Sequence, residues 1–256
     1  PMDILAWNET LNRIVFGFPM KLVYLLVGAY LVIFRIRWFS APLRMARVAF
    51  SETLGAIRER AYGFGGQITP YQATMVALSA TLGTGHLLGM LAAVLVGGPG
   101  AVFWMWVGYF FGTGTKFAEA TLAVHYRRRF ADGSVSGGPM YYLSRGLPRL
   151  RFLGHLFAFF AAVAAFGIGN LSQAGAVGGA LAPLGAPPAL VGLFLALLVG
   201  LVLGGGIVRV ARFAQVVVPL KLLLFLVALG PLLVLYAGRI PEALALVFQA
   251  AFTPEA

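Results

Sequence analysis

Two short runs hold the residues whose types and spacing could do chemistry in this chain. One is Leu82-Gly83-Thr84-Gly85-His86-Leu87-Leu88-Gly89; the other is Phe166-Gly167-Ile168-Gly169-Asn170-Leu171-Ser172-Gln173. Each interrupts an apolar stretch well inside its ends. Glycine weakens a helix by about 1 kcal/mol relative to alanine, and clusters of it invite unwinding. Unwound backbone inside hydrocarbon survives only where protein or a water-filled cavity satisfies its N–H and C=O groups. A helix broken at that depth offers a new N-terminus, which attracts a carboxylate, and freed carbonyls, which attract Na⁺. Glycines also serve simple close packing, and that is the reading for Gly112, Gly114 and Gly204-Gly205-Gly206. The first run differs because Thr84 and His86 are interleaved with its glycines, and a packing seam needs no imidazole. Polar groups at that depth are costly and mark functional sites.

The elements that must position these runs follow from composition. The 256 residues are 60% hydrophobic and 11% charged, against about half apolar and about a quarter charged in a soluble domain. This is an integral membrane protein. The net charge of +11 reflects basic residues held on one side of a membrane, not a nucleic-acid partner. With no cysteine, disulfides and thiolate metal sites are excluded. Six apolar runs are long enough to cross a bilayer as helices: 14–34, 71–96, 101–126, 152–181, 189–208 and 213–236. Gly83 lies roughly 20 Å into the second at 1.5 Å per residue. Alternate connections carry fourteen Lys and Arg, the other set only Arg13, Lys21 and Arg239. That bias places the N-terminus outside and the basic connections in the cytoplasm.

The remaining polar residues read as structural. Residues 40–62 space apolar side chains among arginines, as an amphipathic helix on the inner surface does. Residues 131–151 open on Asp132-Gly133 and Gly137-Gly138-Pro139, which prescribe turns, and continue as a short helix from Met140. Lys116 and Glu119 are spaced to pair and face the bundle. Lys221, about two turns from the inner end of its span, snorkels to the interface. Trp104 and Trp106 suit an aromatic belt. No phosphate-binding loop, zinc motif or nucleophile elbow is present. An enzyme and a bound cofactor are therefore not expected.

Segments from Thr69 onward resemble the alanine or glycine:cation symporters of the amino acid–polyamine–organocation superfamily. The resemblance rests on Gly83-Thr-Gly85 with Gly89, Gly97-Gly-Pro-Gly-Ala-Val-Phe-Trp-Met-Trp106 and Thr115-Lys-Phe-Ala-Glu-Ala-Thr121. It continues in Asp132-Gly-Ser-Val-Ser-Gly-Gly-Pro-Met-Tyr-Tyr142, Phe166-Gly-Ile-Gly-Asn170 with Gln173, and Ala251-Phe-Thr-Pro254. It implies an all-α, leucine-transporter-like bundle: one extra N-terminal helix, then five-helix repeats of inverted topology. Members take up a small neutral amino acid, alanine or glycine, with Na⁺ or, alternatively, H⁺. Carried over by position, Gly83, Thr84 and Gly85 form the break that receives the substrate carboxylate. His86 and Gln173 complete the site, and the carbonyls of Ala80 and Gly83 ligate Na⁺. The family's usual residue at position 86 is Asn. A histidine there either makes uptake depend on pH or is a neutral core residue bonded to a neighbouring carbonyl.

On this reading residues 1–68 hold the extra helix and amphipathic segment. Residues 69–238 form the first repeat, with breaks near 83–86 and 167–170, and residues 239–256 lead towards a second repeat. The expectation is a truncated half of a bacterial or archaeal inner-membrane symporter, its second repeat lying in the same or another chain. The alternative is a channel-like or non-transporting membrane subunit of the same fold.

Overall fold

The computed structural model describes residues 4–35, 47, 50, 51, 67–167 and 170–253. The amphipathic segment expected at 40–62 lies almost wholly outside these residues, as do Ile168, Gly169 and Pro254-Glu255-Ala256. Helices dominate: α1 (Ile4–Phe16) and α2 (Phe18–Tyr30) are separated by Gly17, and a π-helical turn, Leu31–Arg35, follows α2. Then come α3 (Pro70–Thr81), α4 (Thr84–Gly97), α5 (Gly100–His125), α6 (Pro139–Gly146) and α7 (Phe152–Ala165). The chain continues through α8 (Asn170–Leu181), α9 (Pro188–Leu203), α10 (Gly206–Leu235) and α11 (Ile240–Ala250).

By length and composition, two helical stretches among the described residues can each cross a membrane alone: Glu9–Phe34 and Gly206–Leu235. The bent pair α3–α4 makes a third. Six crossings were expected. Helix α5 is 26 residues long, but Thr113, Thr115, Lys116 and Glu119 dilute its apolar character. Helices α7 and α9, of 14 and 16 residues, are apolar but rise only about 21 and 24 Å.

One seam anchors the bundle. Thr69 caps α3 reciprocally: its Oγ1 accepts from Gln72 N–H, and its own N–H donates to Gln72 Oε1, both at 3.1 Å. Met75 packs with Ala214 and Val218 of α10, flanked by Tyr71, Val76, Leu78 and Leu222. Pro219 has no N–H, so it leaves the Gln215 carbonyl, four residues back, without its helical donor. The Tyr71 hydroxyl donates to that carbonyl at 3.5 Å, and Gln72 Nε2 donates to Gln215 Oε1 at 2.9 Å. The helix breaker on α10 is thereby answered by the first turn of α3.

The glycines divide by role. A Cβ at Gly114 would meet Val32 Cγ2 at 2.7 Å, and one at Gly28 would meet the Phe111 carbonyl at 2.6 Å. A Cβ at Gly112 would collide with the Tyr24 hydroxyl. These three let α2 lie against α5, as a packing role requires. Gly204-Gly205-Gly206 do something else: they turn the chain from α9 into α10, with Gly206 at φ +65°. Arg209 and Arg212, expected in a loop, consequently sit in the first two turns of α10.

Two other expectations are corrected. Residues 127–136 contain a small antiparallel hairpin, β1 (Arg128–Arg129) against β2 (Val135–Ser136). Its turn is made by Gly133 at φ +80° and by Asp132 Oδ1 accepting from Ser134 N–H at 2.9 Å. The all-α description thus has one minor exception among the described residues. Lys116 and Glu119 do pair, at 2.9 Å, but with exposed side chains rather than into the bundle. Trp104 is part of an end-cap: its Nε1–H donates to the Ala251 carbonyl at 2.7 Å, and Phe103, Phe248 and Phe252 cluster with it where α11 meets α5.

Candidate functional site

The α3–α4 pair bends by 45°. Helix α3 ends at Thr81, roughly 18 Å from its start, and Leu82 (φ −91°, ψ 40°) and Gly83 (φ −86°, ψ 162°) leave the helical region. The break is therefore Leu82-Gly83. Thr84, Gly85 and His86 form the first turn of α4, where the unpaired N–H groups of a helix N-terminus lie. The second interruption separates α7 from α8 after Phe166-Gly167.

Thr84 and Gln173 meet at the break. Gln173, in the second turn of α8, accepts at Oε1 from the Thr84 hydroxyl at 2.8 Å and from the Thr84 N–H at 3.4 Å. Its carbonyl oxygen thus occupies the place of an N-cap acceptor, the place a carboxylate oxygen would take. Gly83 is buried against the same side chain: a Cβ there would stand 2.5 Å from Gln173 Nε2. Any larger residue would displace the Gln173 amide from the break. Gly85 has nothing within 4 Å of where its Cβ would be, so the backbone there is open to approach.

The carbonyls are arranged less simply. Gly83 C=O accepts from His86 N–H at 3.2 Å, so one of its two lone-pair positions is engaged. In an unbroken helix Ala80 C=O would receive the Thr84 N–H, which here turns to Gln173. The break thus frees acceptor capacity at the C-terminal, negative end of α3.

With Thr81, Gly83, Tyr109, Lys221 and Phe225, His86 lines a cavity of about 320 Å³ between α4, α5 and α10. Its imidazole is exposed, not buried as a core histidine would be. Lys221 is the functional candidate that sequence reasoning misplaced. Because α10 begins at Gly206, Lys221 lies at its middle, roughly 22 Å from its start, and faces this cavity rather than an interface. A lone charge inside an apolar run was the available signal.

The chain matches the sodium:alanine symporter family over residues 2–256. It is 39% identical over 258 residues to the sodium/alanine symporter AgcS of Methanococcus maripaludis, covering 98% of this chain and 55% of that protein. An uncharacterized transporter of Haemophilus influenzae is 36% identical across 100% of this chain and 55% of its own length. The probable sodium/glutamine symporter GlnT of Bacillus subtilis is 31% identical, over 91% of this chain and 48% of its own. The chain spans about half the length of the curated relatives it matches. These relatives are transporters rather than enzymes, and a bent, glycine-broken helix pair in an apolar bundle is consistent with that class. The chain belongs to the sodium:alanine symporter family.

Proposed function

We propose that this chain supplies the first repeat of a leucine-transporter-like symporter that carries a small neutral amino acid, alanine or glycine, inward with Na⁺. The observation that carries the proposal is the break itself: a mid-helix N-terminus whose first N–H and hydroxyl, both of Thr84, are held by the uncharged side chain of Gln173. A carboxylate gains more from that position than an amide, because it adds full charge to the helix-end dipole. The substrate carboxylate displaces Gln173 Oε1 from Thr84 and extends over Gly85, and the amide turns to the substrate. His86 and Lys221 face the cavity that leads to the same terminus. Na⁺ takes the carbonyls of Ala80 and Gly83, with further ligands from a second repeat. The basic connections face the cytoplasm and the N-terminus lies outside, in keeping with the arginine bias.

The test is uptake into proteoliposomes by the protein at its full encoded length. An imposed Na⁺ gradient is expected to drive alanine or glycine accumulation, and Gly85→Leu to abolish it without loss of expression. Uptake indifferent to Na⁺ and H⁺ gradients would favour the channel-like reading.

A further inference from the structure

We propose a second site, separate from the α3–α4 break, that binds the phosphate of an anionic glycerophospholipid where β1, α6 and α7 meet. A cavity of about 580 Å³ opens there, lined by Arg128, Arg145, Arg151, His155, Ser144 and Tyr141, among others. Three arginines line it from three separate places: the β1 strand, the last turn of α6 and the residue preceding α7. Gly154 lets these elements come together. A Cβ there would collide with Ser144 Oγ and stand 2.6 Å from the Met140 carbonyl, so only glycine lets α6 seat this closely on α7.

Two of the guanidiniums, those of Arg145 and Arg128, have partners that leave their charge unneutralised. Arg145 Nη1 donates to the carbonyls of Tyr126 at 3.2 Å and Arg127 at 3.4 Å, and the group lies 5.9 Å from the Tyr141 ring. Arg128 lies 4.9 Å over the Phe130 ring. His155 Nδ1 is 3.1 Å from the Arg151 carbonyl. Among the described residues, no carboxylate forms an ion pair with Arg128, Arg145 or Arg151. The nearby Asp132 is turned to Ser134, whose side-chain and backbone hydrogen bonds hold its carboxyl below the usual range. Each guanidinium has five N–H donors in a planar fork suited to phosphate oxygens.

The neighbouring surface names the source of the phosphate. Arg151, Gly154, His155 and Ala158 line the cavity at helical spacing. The adjacent stripe of α7, one residue on, is Phe152, Leu156 and Phe159, all exposed. A charged pocket joined to an apolar helix stripe fits a lipid, headgroup in the pocket and acyl chain along the stripe. A free anion would use only the first. Basic pockets between helices bind anionic headgroups in this way.

The test is titration of a fluorescent phosphatidylglycerol onto the detergent-purified protein at its full encoded length. Phosphatidylcholine and inorganic phosphate serve as competitors. The expected result is displacement by unlabelled phosphatidylglycerol but by neither competitor. Arg128→Gln with Arg151→Gln should weaken binding about thirtyfold, and Leu156→Gln should weaken it severalfold with the charges intact. Arg128→Gln alone, on an exposed hairpin strand, reads out about fivefold should the double variant fail to fold. Arg212→Gln removes a charge elsewhere and is expected to change nothing. Equal weakening by Arg212→Gln, or displacement by inorganic phosphate alone, would overturn the lipid site.

Discussion

The two halves of the bent pair α3–α4 are built differently. Helix α3 is capped at its start, keyed to α10 through Gln72–Gln215, and packed through Met75 on Ala214 and Val218. Helix α4 has no buried residue. Leu95 and Val96 are 76% and 87% exposed, and Cβ positions at Gly85 and Gly89 would meet nothing within 4 Å. Its firm polar tie is Thr84 to Gln173. One half of the pair is fixed to the scaffold, and the other is held at its tip by a side chain the substrate is proposed to displace. A site that binds and releases needs such an asymmetry, because elements that move are drawn from the less stable parts of a structure.

Substitutions in the two halves should differ in effect, and the largest effect is expected at the tip. Gly83→Val drives a branched side chain into Gln173 and should abolish substrate binding. Gly89→Ala, on the same helix but facing open space, should change affinity less than about twofold. Similar losses from both, in a binding assay on purified protein, would dissolve the distinction between tip and face. The next effect belongs to the anchored half. Val218→Ala opens a gap against Met75 and should cost about 1–2 kcal/mol in a denaturation series, whereas Leu95→Ala should cost far less. A reversal would mean that α4 is anchored by contacts outside the described residues.

The smallest effect is the pH response. His86 shares its cavity with Lys221 and Tyr109 as the other titratable groups. Na⁺-driven uptake between pH 5.5 and 8.5 is expected to vary in the parent, and His86→Asn to flatten the profile while Na⁺ dependence persists. Identical profiles would leave His86 with no part in coupling.

How far the sequence reached depends on which interactions are local. The glycine run located the break to within two residues, because clustered glycines weaken a helix where they stand. Gln72–Gln215 was not legible: the partners lie 143 residues apart, and only the fold reveals that Pro219 frees a carbonyl for Tyr71. Lys221 was assigned to an interface because Arg209 and Arg212 read as a loop, when the three glycines before them make the turn instead. The hairpin at 128–136 was missed although Asp132-Gly133 announced its turn, since its strands are two residues each and have no room for alternation.

These 256 residues carry no cysteine, so a thiol introduced among them can report on the α4 terminus. Gly85→Cys places a thiol in open space at the α4 terminus, within reach of a water-soluble methanethiosulfonate. Alanine with Na⁺ is predicted to slow its modification, while alanine amide, which lacks the carboxylate, leaves the rate unchanged. Equal protection by the amide, or none by alanine, would contradict a carboxylate bound at this helix end.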